Sequence, residues 1–183
     1  NYGESPERYP IDTGRMARVI EMAAKGAGWG RKLPKGHGLG IAVAYSFMSY
    51  TACAIEVKVG PKGQVQVMSV DLAMDCGPQV NPERIRSQLE GAAVQGIGLA
   101  MHGEISFAGG KVVQSNFHDF TIPRYAEMPL VTRTHLAPAD YSVAPGGVGE
   151  PGLPPVAPAL CNAIFAATGK RIRELPIRNQ LQA

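Results

Sequence analysis

The segment from Asn81 to Met101 constrains the fold of this 183-residue chain most, because its residues recur at helical spacing. An Asn side chain caps free backbone amides and Pro82 suits the first turn, so the pattern predicts a helix that begins here. Gln88 and Gln95 fall on one face of it. Small residues are unusually frequent along this segment: Gly91, Ala92, Ala93, Gly96, Gly98 and Ala100. We therefore expect something to approach this helix closely.

Other segments predict strands that pair mainly as hairpins. Apolar residues recur in LGIAVAYSF, TACAIEVKVG and QVQVMSVDLAMD, and the turn PKG joins the last two into a hairpin from Thr51 to Asp75. In TACAIEVKVG, Ala54, Glu56 and Lys58 alternate with apolar residues, as in a half-buried strand. EISFAGGKVVQSNF predicts another hairpin, LVTRTHLA a strand and IRELPI a short closing strand.

Two more helices complete the expected architecture. Thr13 can cap a helix that ends in GAGWG, and Val156–Thr168 predicts a helix that stops at Gly169. This order of helices and strands predicts an α+β fold with a largely antiparallel sheet and packed helices. We expect one domain over residues 1–183, with residues 1–12 forming an irregular arm.

The composition is that of a folded chain whose surface is poor in charge. Hydrophobic residues make up 45% of the sequence and charged residues 18%, below the usual share of about a quarter. This deficit indicates that part of the surface packs against a partner or a larger assembly. The net charge of +3 is small and no basic cluster is interleaved with aromatic residues, which argues against nucleic-acid binding.

Cysteine and histidine spacing does not indicate a metal site. Cys53, Cys76 and Cys161 are dispersed in apolar settings without a CxxC pair, which favours buried, unreactive thiols. The four histidines are scattered, which favours structural or solvated roles for His37, His102, His118 and His135.

Glu150 is the one carboxylate in a run of Gly, Pro and small apolar residues, APGGVGEPGLPPVAPALCNAIFAATGK. Gly-Glu-Pro-Gly is typical of a solvated turn. The alternative is a functional carboxylate, since glycines admit a ligand close to the backbone and the following helix N-terminus offers free amides. In such a pocket the glutamate could act as general base. The residues alone leave both interpretations open, and Gln88 and Gln95 can likewise be ordinary exposed amides or ligand contacts.

Two long motifs occur in order along the chain. The first, DCGPQVNPERIRSQLEGAAVQGIGLAMHGEI, contains Asn-Pro followed by Gln-x-Glu-Gly-Ala-x-x-Gln-Gly. The second, GGVGEPGLPPVAPALCNAIFAATGKRIRELPI, contains a Gly-Glu-Pro loop before a helix. Together they resemble the molybdenum hydroxylases, the xanthine oxidase and aldehyde oxidase family. The bacterial branch with the isoquinoline 1-oxidoreductase large subunit is most similar, and GRMARVIEMAAKGAGWG and GHGLGIAVAYSFMSY extend the resemblance over nearly the whole chain.

The resemblance implies roles for individual residues. Glu150 matches the glutamate that lies beside the molybdenum and acts as catalytic base. Gln88 matches a glutamine that contacts the pterin cofactor, and Gly147 and Gly149 lie in the loop that approaches the metal. Gln95 matches a motif position to which we assign no role. In this family the dithiolene of molybdopterin holds the molybdenum, so no protein ligand to the metal is implied.

The resemblance also implies a larger assembly. Family large subunits are much longer than this chain, which resembles only their C-terminal molybdopterin-binding portion, so the isolated chain should be inactive. Expected partners are the rest of the molybdopterin subunit, a small subunit with [2Fe-2S] clusters, and a substrate that is an N-heteroaromatic compound or an aldehyde, hydroxylated with oxygen from water. A non-catalytic packing or interaction module is the alternative. The compartment stays open between bacterial cytoplasm and periplasm.

Overall fold

A computed structural model describes residues 11–181, in which helices cover both faces of a four-stranded sheet. The helices are α1 (Thr13–Ala27), α2 (Pro82–Met101) and α3 (Val156–Thr168). The strands are β1 (His37–Ser46), β2 (Ser49–Val59), β3 (Val65–Asp75), β4 (Phe107–Ala108), β5 (Lys111–Val112) and β6 (Val131–Leu136). A short 3-10 helix spans Tyr125–Glu127. Within residues 11–181 none of the helices has the length and apolar character needed to cross a membrane.

The sheet has the order β1-β2-β3-β6. The first three strands pair antiparallel, whereas β6 runs parallel to β3. The predicted α+β fold with a largely antiparallel sheet is therefore confirmed, as is the hairpin from Thr51 to Asp75. The short pair β4 and β5 confirms the second hairpin, with Gly109 and Gly110 at its tip.

Helices bury the sheet on both sides. Val19 and Ala23 of α1 pack with Ala52 and Ala54 on one face, while α2 and α3 form the larger core on the other face. The predicted half-buried character of β2 is therefore wrong, since Ala54 is fully buried beneath α1.

Glu56, on the same strand, is buried as well but has charged and polar partners. Arg31 Nη2 contacts one carboxylate oxygen, and His37 Nδ1 lies 2.8 Å from the other. A buried carboxylate without such partners would be costly, so this pair of contacts explains how a polar residue is accommodated in β2.

Close packing between β1 and α3 depends on two glycines. A Cβ atom on Gly40 would lie 2.2 Å from the backbone nitrogen of Ala163, and one on Gly38 would lie 2.1 Å from the Ala163 carbonyl oxygen. Real side chains do not tolerate such distances, so any larger residue would push the helix away from the sheet.

The ends of the elements agree with the predictions except at two places. Asn81 caps α2 and Gly169 ends α3, as predicted. Asp12, not Thr13, caps α1, because its carboxylate accepts hydrogen bonds from the amides of Gly14 and Arg15. IRELPI forms no strand. Of the predicted arm, residues 1–10 lie outside the described residues.

Candidate functional site

The glycine-rich loop before α3 is held against the ends of three strands. Gly146 donates its amide to the Cys76 carbonyl at 2.9 Å, just after β3. Gly147 donates to the Phe47 carbonyl at 2.7 Å, and its own carbonyl accepts a 2.6 Å hydrogen bond from Ser49 Oγ. A Cβ on Gly146 would lie 2.2 Å from Ser49 Oγ. These glycines therefore let the loop lie directly on the turn between β1 and β2.

Glu150 follows this anchored stretch and faces α2. A Cβ on Gly149 would lie 3.4 Å from Gln88 Nε2, and one on Gly152 would lie 2.8 Å from the Cβ of Ala92. The loop and the helix enclose a cleft of about 370 Å³. Its lining residues are Gln88, Gly91, Ala92, Gln95, Gly149, Glu150 and Leu153. We call this space the Glu150 cleft.

The structure thus brings together most of the residues that the sequence singled out. Gln88, Gln95, Gly149 and Glu150 line one cleft, and the prediction that the two amides share one side of a continuous helix is confirmed. Gly147 does not line the cleft but fixes the loop that leads to it. Gly91 also lines the cleft. The sequence predicts it only as a small residue, although its spacing from Gln88 and Gln95 places it near their face.

The Glu150 carboxylate is exposed, and among residues 11–181 neither a cation nor a hydrogen-bond donor contacts it. Its backbone carbonyl accepts a 2.9 Å hydrogen bond from the Leu153 amide, which closes the turn. The expected free amides at the start of α3 are fewer than predicted. Pro155 and Pro158 have no amide hydrogen, and the Val156 amide donates to the Leu153 carbonyl.

The open side of the cleft has room for a ligand. A Cβ on Gly91 would meet nothing within 4 Å. The exposed Gln88 and Gln95 amides have no hydrogen-bond partner in the described part of the chain, and each can both donate and accept. A free carboxylate beside two free amides and an uncovered helix face fits a polar ring system that presents donors and acceptors.

Metal binding by the protein itself has no support in the described residues 11–181, where no three His, Cys, Asp or Glu side chains converge. Burial raises the pKa of Cys53, Cys76 and Cys161, so their thiols are poor nucleophiles and ligands at neutral pH.

The histidines pair with carboxylates instead of with one another. His37 contacts Glu56, and His102 Nε2 lies 2.6 Å from Glu127. His135 contacts Asp71, as described below. Such pairs fit the structural roles predicted from the scattered spacing.

Comparison with known proteins identifies the family. Residues 14–129, more than half of the chain, match the family model described as molybdopterin cofactor-binding domain. The chain belongs to this family. The match includes Gln88 and Gln95 of the molybdopterin cofactor-binding domain but ends before the Gly147–Glu150 loop. The resemblance drawn from the two sequence motifs is confirmed.

Individual relatives extend the similarity beyond the family match. The chain is 30% identical to isoquinoline 1-oxidoreductase subunit beta of Brevundimonas diminuta, over 91% of this chain and 22% of that protein. It is 31% identical to a membrane-bound aldehyde dehydrogenase of Gluconacetobacter polyoxogenes, over 90% and 22%. The name of the latter carries pyrroloquinoline quinone, so the pterin assignment rests on the family model.

A solved structure shows the same fold. The aldehyde oxidoreductase of Desulfovibrio gigas superimposes with a TM-score of 0.62 at 28% identity, over 72% of this chain and 15% of that one. The chain spans about a fifth of the length of the two curated relatives above. It is therefore similar to one portion of a much longer oxidoreductase subunit.

Proposed function

We propose that this chain is the part of a molybdenum hydroxylase that places a glutamate beside the molybdenum cofactor. The Glu150 cleft carries the proposal, because one carboxylate and two amides without partners among residues 11–181 line it in a molybdopterin cofactor-binding domain. The names of the relatives, an isoquinoline oxidoreductase and aldehyde oxidoreductases, support N-heteroaromatic compounds or aldehydes as substrates of the whole enzyme.

Three residues of the chain would hold or admit the cofactor. The Gln88 amide would exchange hydrogen bonds with the pterin, whose ring edge presents both donors and acceptors. Gly149 would keep the loop close to that amide without a side chain in the cleft. Gly147 would not contact the cofactor itself but would fix the loop on the turn at Phe47. When bound, the cofactor would supply the two-electron oxidation of the substrate.

Glu150 would be the general base. The overall hydroxylation takes one oxygen from water, inserts it into a carbon–hydrogen bond, and releases two protons and two electrons. A carboxylate oxygen of Glu150 would accept a proton from the attacking oxygen, which makes that oxygen a better nucleophile. Since no Arg, Lys or His among residues 11–181 contacts this carboxylate, it is available to take that proton.

The electrons require partners outside this chain. We propose that the rest of the molybdopterin subunit completes the cofactor site and that [2Fe-2S] clusters on a small subunit carry the electrons away. Apolar side chains on the surface of the chain support such an assembly, since Phe47, Val80 and Tyr125 are 63%, 98% and 95% exposed.

Glu150→Gln in the complete enzyme tests the function. Glutamine keeps the size of the side chain but is not a base, and general-base catalysis contributes about 10²- to 10⁴-fold. We expect the rate of enzyme reduction by substrate, measured by rapid mixing, to fall by that factor while molybdenum content stays normal. Glu90→Gln is the matched control, because Glu90 is an exposed residue of α2 outside the cleft.

Two other outcomes would contradict the proposal. A variant with full metal content and a rate within a few-fold of the parent would make Glu150 a turn residue and favour a non-catalytic module. A variant that loses the metal would make its role structural.

A further inference from the structure

A second cleft lies along α2 next to the Glu150 cleft, and we call it the apolar groove. It occupies about 530 Å³ between the C-terminal half of α2 and the segment from Phe120 to Met128. Gly98 allows the segment to approach the helix, because a Cβ there would lie 2.6 Å from Pro123 Cδ. The close approach expected from the small residues of α2 is partly explained by this contact.

The apolar groove and the Glu150 cleft adjoin one another along α2. Gly91 and Gln95 line both of them. A Cβ on Gly91 would meet nothing within 4 Å, so the described residues leave open space beside Gly91 at this shared border. A ligand with one end beside Glu150 can therefore extend into the groove along the face of α2.

The lining of the apolar groove selects the chemistry of that ligand. Among the described residues no ionisable side chain lines it, and its apolar lining includes Leu99, Phe120, Ile122 and Met128. Its volume is within the range of about 300–1,000 Å³ that small-molecule sites occupy. An aromatic ring and a thioether suit the flat faces of another ring. A neutral, apolar ring system fits this lining, whereas a charged or strongly polar group would lose its hydration without a partner.

We propose that the apolar groove binds the non-reacting ring of the substrate, while the carbon to be hydroxylated lies in the Glu150 cleft. This proposal rests on the proposed function and narrows its substrate class. The substrate is a neutral bicyclic aromatic or N-heteroaromatic compound in preference to a small aliphatic aldehyde. Gln95, which had no role from the sequence, lies at the junction and is placed to hydrogen-bond a ring nitrogen or carbonyl.

Two substitutions in the complete enzyme test the groove. Leu99→Trp fills it, and Gly91→Leu closes its junction with the Glu150 cleft. The probes are isoquinoline and acetaldehyde, assayed for turnover, with isoquinoline binding measured separately by equilibrium dialysis. A misfit of a methylene or more typically changes discrimination by 10- to 200-fold. We expect both variants to lower the ratio of kcat/KM for isoquinoline over acetaldehyde at least about 10-fold, and to weaken isoquinoline binding by a similar factor.

Glu90→Leu is the control matched to Gly91→Leu. It places a leucine on the same helix, at an exposed position that lines neither cleft. It should leave the ratio within about twofold of the parent. An unchanged ratio and unchanged binding in both groove variants would refute the proposal, as would failure of the parent enzyme to bind isoquinoline. If both variants, but not the control, fail to assemble with the rest of the molybdopterin subunit, the groove is filled by that part of the protein. This outcome would also refute the proposal.

The dialysis measurement separates this proposal from the proposed function. If Glu150→Gln leaves the rate of enzyme reduction unchanged but the groove variants weaken isoquinoline binding, the base assignment is refuted and substrate binding in the apolar groove is supported. If Glu150→Gln slows enzyme reduction but the groove variants bind isoquinoline normally, the proposed base is supported and substrate binding in the apolar groove is refuted.

Discussion

Replacing Asp71 with Asn should destabilise the fold, because Asp71 joins the only parallel strand pair within residues 11–181. Arg133 of β6 donates to both carboxylate oxygens, at 2.8 Å from Nε and 2.6 Å from Nη2. His135 Nε2 lies 2.9 Å from Asp71 Oδ1. The Asp71 side chain is 0% exposed, whereas that of Arg133 is 41% exposed. The Asp71 carboxylate is thus buried, whereas its main partner, Arg133, is partly exposed to solvent.

The burial sets the expected magnitude. Removing one partner of a fully buried ion pair costs about 3–5 kcal/mol, and an exposed pair contributes about 0–1 kcal/mol. Solvent screens Arg133, and Asn can still accept one hydrogen bond. We therefore expect Asp71→Asn to lower the free energy of unfolding by an intermediate amount, about 2 kcal/mol. For a chain of this size that loss lowers the melting temperature by about 4–8 °C.

The effect should depend on pH. Burial raises the pKa of Asp71, but hydrogen bonds from His135 and Arg133 outweigh burial and hold the pKa below its usual value of 3.8. A carboxyl group whose pKa is lowered on folding stabilises the protein above the unfolded-state pKa, and that contribution is lost as the pH falls through the folded-state pKa. The difference between parent and Asp71→Asn should therefore shrink as the pH falls below about 4.

Denaturant unfolding at several pH values measures this difference. Glu21→Gln, on the exposed face of α1, serves as the control and should be nearly neutral. A double-mutant cycle with Arg133→Leu isolates the pair. A loss below about 0.5 kcal/mol at pH 7, or a loss that stays the same at low pH, would refute the argument.

The remaining predictions concern the β1–β2 turn and the metal. Phe47 and Met48 form a two-residue turn with φ of 50° and 61°, a conformation that costs an ordinary residue about 1–2 kcal/mol. Met48→Gly should therefore stabilise the chain by about 1 kcal/mol in thermal unfolding, and Met48→Ala should not; equal effects would contradict this. The chain purified alone should contain no stoichiometric molybdenum and no hydroxylase activity, because one wall of a cleft cannot enclose the cofactor. Metal analysis showing about one molybdenum per chain would contradict that.

Local signals explain why some of the fold was predictable. The bounds of α2 and α3 depend on the residues at their own ends, Asn81 and Gly169, so the sequence predicts them well. The burial of β2 could not be predicted from its own pattern, because it depends on α1, a distant element that covers the second face. The pairing of β6 with β3 is likewise non-local, since a parallel pair requires a long crossover that no turn motif announces.

The candidate site likewise has features that local sequence predicts and features that depend on distant segments. Helical periodicity alone placed Gln88 and Gln95 on one face of α2. Their proximity to Glu150 could not be predicted from periodicity, because it depends on how the glycine loop lies on the turn at Phe47. The resemblance to a family supplies that link. The apolar groove could not be predicted, because its two sides come from segments with no shared motif.

Glu150 shows that the two readings of its motif, a solvated turn or a functional carboxylate, do not exclude one another. The turn uses only its backbone carbonyl, which binds the Leu153 amide, while the buried Pro151 and Gly152 hold the turn against α2. Within residues 11–181 nothing contacts either carboxylate oxygen, so both are available to whatever occupies the cleft. A glutamine at this position would preserve every one of those backbone contacts. Any loss of rate in Glu150→Gln with normal metal content must therefore come from the missing carboxylate and not from the turn, which is why that variant distinguishes a base from a structural residue.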